Sequence, residues 1–323
     1  MSLDAVLNRR LLIISGKGGV GKTTVTGALG ILAARHDLRV LLVEFDGRDS
    51  LSNLFEIGRL GPEPVQLRYN LQAINVSPEE ALKEYFEVQL HMKRIARPLI
   101  TSQLVDAVTS SAPGLRDILM LGKIWYMATH QQDLDLIVLD APATGHAVSM
   151  LRSPEGFLRA VPVGPLATHT RQILTWLQNP EYVAVNIVGL AEDLPVNETI
   201  ETVGALEEQL GFNVEHVFLN MIYPPVGQDE TLDKAAVGLE GPESLVAFAQ
   251  KAGSKLSAKN AAALHRCAEF YSARRKVQKH HSSRLEEAVG HTARTVDLPF
   301  YFDSEFGEKH LENIADLIEE QLT

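Results

Sequence analysis

The stretch Gly16 to Thr24, GKGGVGKTT, constrains this chain more than any other. It fits the phosphate-loop pattern G-x-x-x-x-G-K-[ST], framed by Gly16 and Gly21 and closed by Lys22 and Thr23. Arg10 to Ser15 is an apolar run of strand length before it, and Thr24 to Ala34 reads as a helix after it. A phosphate chain is dense negative charge. Glycines let backbone N–H groups close on it, and the following helix turns its positive end toward it. The whole run, Gly16, Lys17, Gly18, Gly19, Val20, Gly21, Lys22, Thr23 and Thr24, is therefore the candidate binding loop for a nucleoside triphosphate. Within it Lys22 is expected to reach the β/γ-phosphates and the Thr23 hydroxyl to take a position on Mg²⁺. Lys17 is not required by an ordinary phosphate loop. A second lysine there adds positive charge where a transition state gains negative charge.

Apolar runs recur at Arg39–Phe45, Asn70–Val76, Asp135–Asp140, Val183–Gly189, Glu215–Asn220 and Thr292–Leu298, separated by helical patterns. Such an alternation predicts an α/β fold, a doubly wound and mainly parallel sheet flanked by helices. We expect a single domain over residues 1–323 with a helical insertion at about 78–129 and a further helical segment at about 243–289. In the insertion, Leu82, Phe86 and Leu90 share one face. Leu115 to Ala128 is apolar nearly all round, so Met120, Trp125 and Met127 face either the core or a protein client. His280 and His281 are adjacent and diverge on a helix, so they do not chelate one metal together.

Two strand ends complete the candidate site. Asp46 follows RVLLVEF and is placed to orient the attacking water; Asp49, in the same stretch, is alternatively a helix N-cap. Asp140 ends DLIVLD in the Walker-B manner and is expected in the Mg²⁺ shell. After it, Thr144, Gly145 and His146 lie in a short stretch expected to be a mobile switch loop; His146 is either a phosphate or partner sensor or a structural hydrogen-bonding group.

Lys plus Arg is 30 against 41 for Asp plus Glu, a net charge of −11, which argues against a general nucleic-acid binder. The single cysteine, Cys267, cannot make an internal disulfide or a CxxC zinc site, and no apolar run is long enough to cross a bilayer. We expect a cytoplasmic protein with no integral membrane segment.

The loop GKGGVGKTT with Lys17 resembles the deviant Walker-A signature of the MinD/ParA/nitrogenase iron-protein class. DAPATGH at Asp140–His146 is similar to the DTAPTGH loop of the arsenite-pump ATPase (ArsA) family, which includes the guided-entry ATPase of tail-anchored membrane proteins. DGRDSLSNLF at Asp46–Phe55 resembles that family's switch-one DPAHNLSDAF, and PGLRD at Pro113–Asp117 its PGIDE segment. Asn220 and the stretch Leu298-Pro299-Phe300 occupy the places of its adenine-framing residues. The resemblance implies a dimeric, Mg²⁺-dependent ATPase, a homodimer or a dimer with a paralogue, with ATP held by each chain. Lys17 would reach the other subunit's nucleotide and Asp46 would polarise water. Thr23 and Asp140 would serve Mg²⁺, and Asn220, Pro299 and Phe300 would frame adenine. Its hydrolysis would act as a switch for a protein client or a membrane partner. The family's arsenite pumps use a cysteine cluster and two fused nucleotide domains, and this chain has one cysteine and one phosphate loop. Other functions open at this point are energising arsenite or anion efflux, a ParA/MinD-like positioning scaffold, and phosphoryl transfer to a metabolite. The acidic tail His310–Thr323 argues against a membrane anchor of the basic amphipathic kind.

Overall fold

Continuous Val, Ile and Leu runs make strands that must be covered on both faces, and that is how the chain arranges them. The computed structural model describes residues 3–45, 49–88, 114–225 and 241–323. Eight strands form one sheet: β1 (Leu11–Gly16), β2 (Val40–Phe45), β3 (Val65–Arg68), β4 (Leu71–Val76), β5 (Leu136–Ala143), β6 (Val183–Leu190), β7 (Val214–Ile222) and β8 (Arg294–Pro299). Their order is β3-β4-β2-β5-β1-β6-β7-β8. All neighbours are parallel except β3 and β4, which form an antiparallel edge. The strand β3 was absent from the expected set, because VQLR is short, half polar and largely exposed. β1 lies at the centre, flanked by strands that come much later in the chain, so the crevice at its carboxyl end is the switch point of the topology.

One face of the sheet is covered by α1 (Leu3–Leu7), α2 (Lys22–Arg35) and α11 (Glu308–Leu322). Leu311, Ile314, Ile318 and Leu322 lie one or two turns apart on α11 and are all buried. The apolar side of the acidic tail thus belongs to the core. The other face is covered by α5 (Leu115–His130), α6 (Thr144–Ala160), α7 (Pro165–Leu177) and α8 (Asp193–Gly204), the last running on as a π-helical turn at Ala205–Gln209. The carboxyl end of a long helix, α10 (Ala258–Val289), also packs there through Leu285 and Val289. Arg10 pins α5 to the sheet, donating from Nε and Nη2 to the Ala128 carbonyl at 3.1 and 2.6 Å and from Nη1 to Asp135 O at 3.0 Å.

Within the expected insertion, α4 (Pro78–Val88) and α5 pack together around Ala81, Leu82, Leu115, Ile118 and Leu119. Met120 and Met127 are buried in the main core and Trp125 is packed against it, which settles those two methionines as core residues. Leu90, the Phe86 side chain and Pro113 lie outside the described residues. The second helical stretch contains α9 (Pro242–Lys251) and α10, with a break between them. Cys267 is exposed on α10. No helix among the described residues is long and apolar enough to cross a membrane.

Candidate functional site

The loop between β1 and α2 is shaped by what its glycines avoid. A Cβ on Gly16 would meet the Val188 carbonyl oxygen at 2.2 Å, and one on Gly21 would meet Asn220 Nδ2 at 2.1 Å. Gly21 also has a φ of 96°, in the left-handed region that only glycine occupies cheaply. At Gly18 and Gly19, by contrast, nothing lies within 4 Å of where a side chain would begin, so the backbone there borders open space. Lys17, Gly18 and Gly19 are exposed, Val20 and Lys22 are buried, and Thr23 and Thr24 are half-buried. The helix starts at Lys22, two residues before the expected Thr24. Its first turn therefore presents the N–H groups of the loop's own closing residues, which a helix leaves without intrahelical partners.

The Lys22 ammonium folds back into the loop and donates to the Lys17 carbonyl at 3.1 Å. One residue on, the Thr23 hydroxyl donates to Asp140 Oδ2 at 2.6 Å. Asp140 is 6% exposed and stands level with Ile14 in the β1–β5 register. A buried carboxylate and a hydroxyl touching at the mouth of a cradle of open backbone are the donor types that Mg²⁺ takes. The residues present thus fit a magnesium-bound phosphate chain: an ammonium, a hydroxyl–carboxylate pair and a helix amino terminus converge on one crevice.

The expected loop after Asp140 is not a loop. β5 continues through Ala143, which pairs with Gly16, and Thr144 opens α6, a helix of 17 residues. Thr144, Gly145 and His146 are thus its first turn, with Gly145 and His146 exposed. The extra strand pairing beside Gly16 carries the chain straight into the helix. A second helix amino terminus thereby faces the same end of the sheet as that of α2, adding to the positive potential there.

Lys17 is engaged within its own chain. Its Nζ lies 2.6 Å from Glu198 Oε1 on α8. That helix is held in turn by α10: Arg274 donates to Glu192 at 2.8 Å, and Arg284 to Asp193 at 3.0 Å and to Asn197. Neither Glu198 nor these arginines carry a motif in the sequence.

Asn220 is buried at the carboxyl end of β7 and donates from Nδ2 to the Val20 carbonyl at 2.9 Å, tying that strand to the phosphate loop. The next residue, Met221, has a φ of 59°, at a break in the β7–β8 register. Asn220, Met221, Pro299, Phe300 and Phe306 line a cavity of about 200 Å³ that also touches Thr24. Phe300 donates its backbone N–H to Ile222 O at 2.8 Å and stacks on Tyr223, centroids 5.3 Å apart. The structure therefore brings Asn220, Pro299 and Phe300 together beside the phosphate loop. Asp46 lies outside the described residues. Asp49 sits at the N-cap position of α3 (Ser50–Leu54) with no side-chain cap, and pairs with Arg59 at 3.2 Å instead.

A model of the anion-transporting ATPase family matches residues 9–162. The chain is 30% identical over 257 residues to ATPase BagA of Mycobacterium tuberculosis, across 76% of this chain and 75% of that one. It is 26% identical over 258 residues to an arsenical pump-driving ATPase of Acidiphilium multivorum, covering 72% of this chain and 43% of the relative. It is 30% identical over 146 residues to ATPase ASNA1 homolog 1 of Paramecium tetraurelia, covering 44% and 43%. With the phosphate loop, the strand-end aspartate and the sheet order all in place, the chain belongs to the ArsA family of anion-transporting ATPases.

Proposed function

We propose that the protein is a Mg²⁺-dependent ATPase that works as a dimeric nucleotide switch, coupling hydrolysis to a protein client or a membrane partner. The observation that carries this reading is the Thr23–Asp140 pair, 2.6 Å apart at the mouth of the phosphate loop. Thr23 and Asp140 would hold Mg²⁺, which when bound supplies charge that draws electron density from the phosphate oxygens. Backbone N–H groups from Gly16 to Thr24 would bind the phosphates and Lys22 would neutralise them. Asp46 would orient the attacking water. Thr144, Gly145 and His146, at the amino end of α6, would sense the state of the site. Asn220, Pro299 and Phe300 would frame the base in the neighbouring cavity.

Lys17 would serve the nucleotide of a second copy or of a paralogue. An ammonium held by Glu198 is not available to a neighbour, so closing the dimer exchanges one carboxylate for phosphate oxygens. The apolar cleft between α4, α5 and α7, lined by Tyr85, Leu119, Trp125 and Ile173, supports a client-handling role on the other helical layer. The burial of the apolar side of α11 speaks against membrane attachment through the tail. Efflux of arsenite or another anion is the alternative carried by the relatives' names.

The test is ATP turnover together with molecular mass by light scattering, with Mg²⁺ and a non-hydrolysable ATP analogue. Wild type should double its mass and hydrolyse ATP. Lys17→Ala and Asp46→Asn should each lose about 100-fold in kcat, the size of a lost transition-state contact. Wild-type turnover in both variants would sink the assigned roles. Stimulation by arsenite would favour the efflux alternative.

A further inference from the structure

Glu44 has no part in the site as described so far, yet it is the only charged residue of β2 and is 1% exposed. Burying a carboxylate inside a sheet is costly unless donors meet its oxygens. They do. Oε2 accepts the backbone N–H of Leu51 at 3.0 Å, and Oε1 accepts Asn75 Nδ2 at 3.1 Å. Leu51 lies in the first turn of α3, so Glu44 satisfies a helix-terminal N–H that the Asp49 side chain does not. Asn75 belongs to β4, where its own N–H donates to Gly61 O at 2.9 Å. In the parallel register Glu44 stands level with Asn75 on one side and Asp140 on the other. Leu42 and Val138, two residues back on their strands, belong to the apolar layer that includes α2. Alternate residues share a face, so Glu44 and Asp140 both face the α2 layer, one strand apart.

We infer that Glu44 is a positioning residue for ATP hydrolysis. It ties the first turn of α3 to the ends of β2 and β4, and so fixes the frame beside the Thr23–Asp140 pair. This assignment rests on the ATPase reading above. The chemistry explains the residue type. Both neighbours donate, so the position needs two acceptors and no donor at the end of a short stem, which a carboxylate supplies. Glutamine keeps both bonds if the Asn75 amide turns over and offers its oxygen. Leucine keeps the volume and strands both donors. The role is one of hydrogen bonding, and these two substitutions separate it from charge.

The experiment measures kcat, KM for ATP and affinity for a fluorescent ATP analogue with Mg²⁺, on the full chain. Glu44→Leu should lower kcat about tenfold or more while analogue affinity stays within about twofold, because the strut acts on the reacting frame and not on the phosphate cradle. Glu44→Gln should retain kcat within about threefold. The assignment is overturned if Glu44→Leu turns over like wild type, if its affinity falls in step with kcat, or if Glu44→Gln loses as much as Glu44→Leu. Should Glu44→Leu fail to fold, Asn75→Ala removes one of the two bonds. A fall of about threefold in kcat at unchanged affinity then supports the assignment, and wild-type turnover overturns it. A wild-type chain with no ATP turnover would sink the ATPase reading and this assignment together; an active wild type matched by its variants sinks Glu44 alone.

Discussion

Lys17 and Glu198 are separated by 181 positions in sequence and by 2.6 Å in space. The lysine is marked by its place in the loop; the glutamate is one of two on α8 and nothing local distinguishes it. Glu44 was hidden for a different reason. A single acidic residue near the end of an apolar run reads as the polar edge of a strand, and only the positions of Leu51 and Asn75 show why it is buried. By contrast the meeting of Thr23 and Asp140 at one end of the sheet follows from the loop and strand-end pattern, in which residue type and distance from a strand end are set together. The Lys17–Glu198 pair carries a prediction. Its side chains are about half exposed, so it is worth about 0.2–1 kcal/mol. Closing a homodimer breaks one such pair in each subunit, about 0.4–2 kcal/mol in all, so if the pair competes with closure Glu198→Gln should tighten nucleotide-dependent dimerisation by about 2- to 30-fold. Sedimentation velocity with the ATP analogue reads this directly, and an unchanged or weaker association would mean that the pair is not in the way.

Among elements, the strands buried on both faces match the expected runs to within a residue or two, since continuous Val, Ile and Leu have few alternatives, except that β5 extends three residues beyond Asp140. The edge strand β3 was missed because Val65–Arg68 buries nothing fully and takes its conformation from β4. The stretch after Asp140 contains glycine and proline, which are turn signals in isolation, yet pairing with β1 carries the strand through Pro142. The last helix teaches the same lesson from the other side. Its charges suggested an acidic tail, while Leu311, Ile314 and Ile318 seal α2, the helix that carries the phosphate loop. Ile318 is fully buried, so Ile318→Ala should cost about 2–5 kcal/mol, a fall of several degrees in Tm. Glu319→Ala, which removes only the half-exposed pair with His36, should stay within about 0.5 kcal/mol. Scanning calorimetry of both variants checks the contrast; equal losses would mean that α11 is not sealing the core.

For the whole molecule, acid stability is where the buried sheet shows itself. His216 in β7 is 0% exposed, with Nδ1 at 3.1 Å from Asn186 Oδ1. Burial, reinforced by the positive charges of Arg294 and Arg9, pushes its pKa from 6.5 down to about 4. The unfolded chain therefore takes up this proton at a higher pH than the folded one. The histidine's contribution to stability is complete above pH 6.5 and is lost as pH falls toward 4, by about 1.4 kcal/mol per unit. Glu215 and Asp297 act in the opposite sense, since burial raises their pKa and their protonation favours the folded form. The measurement is thus a difference: denaturant midpoints of wild type and His216→Gln across pH 7 to 4. Wild type should fall more steeply, and parallel curves would show that His216 titrates freely in the fold. The exposed thiol on α10 has a separate consequence for the assembled state. Because Cys267 is the chain's only cysteine, a nitroxide attached there marks every molecule once. Any dipolar coupling between labels must then arise from two copies, so a pulsed spin-resonance trace that gains one narrow distance on adding nucleotide would be a ruler laid across the pair.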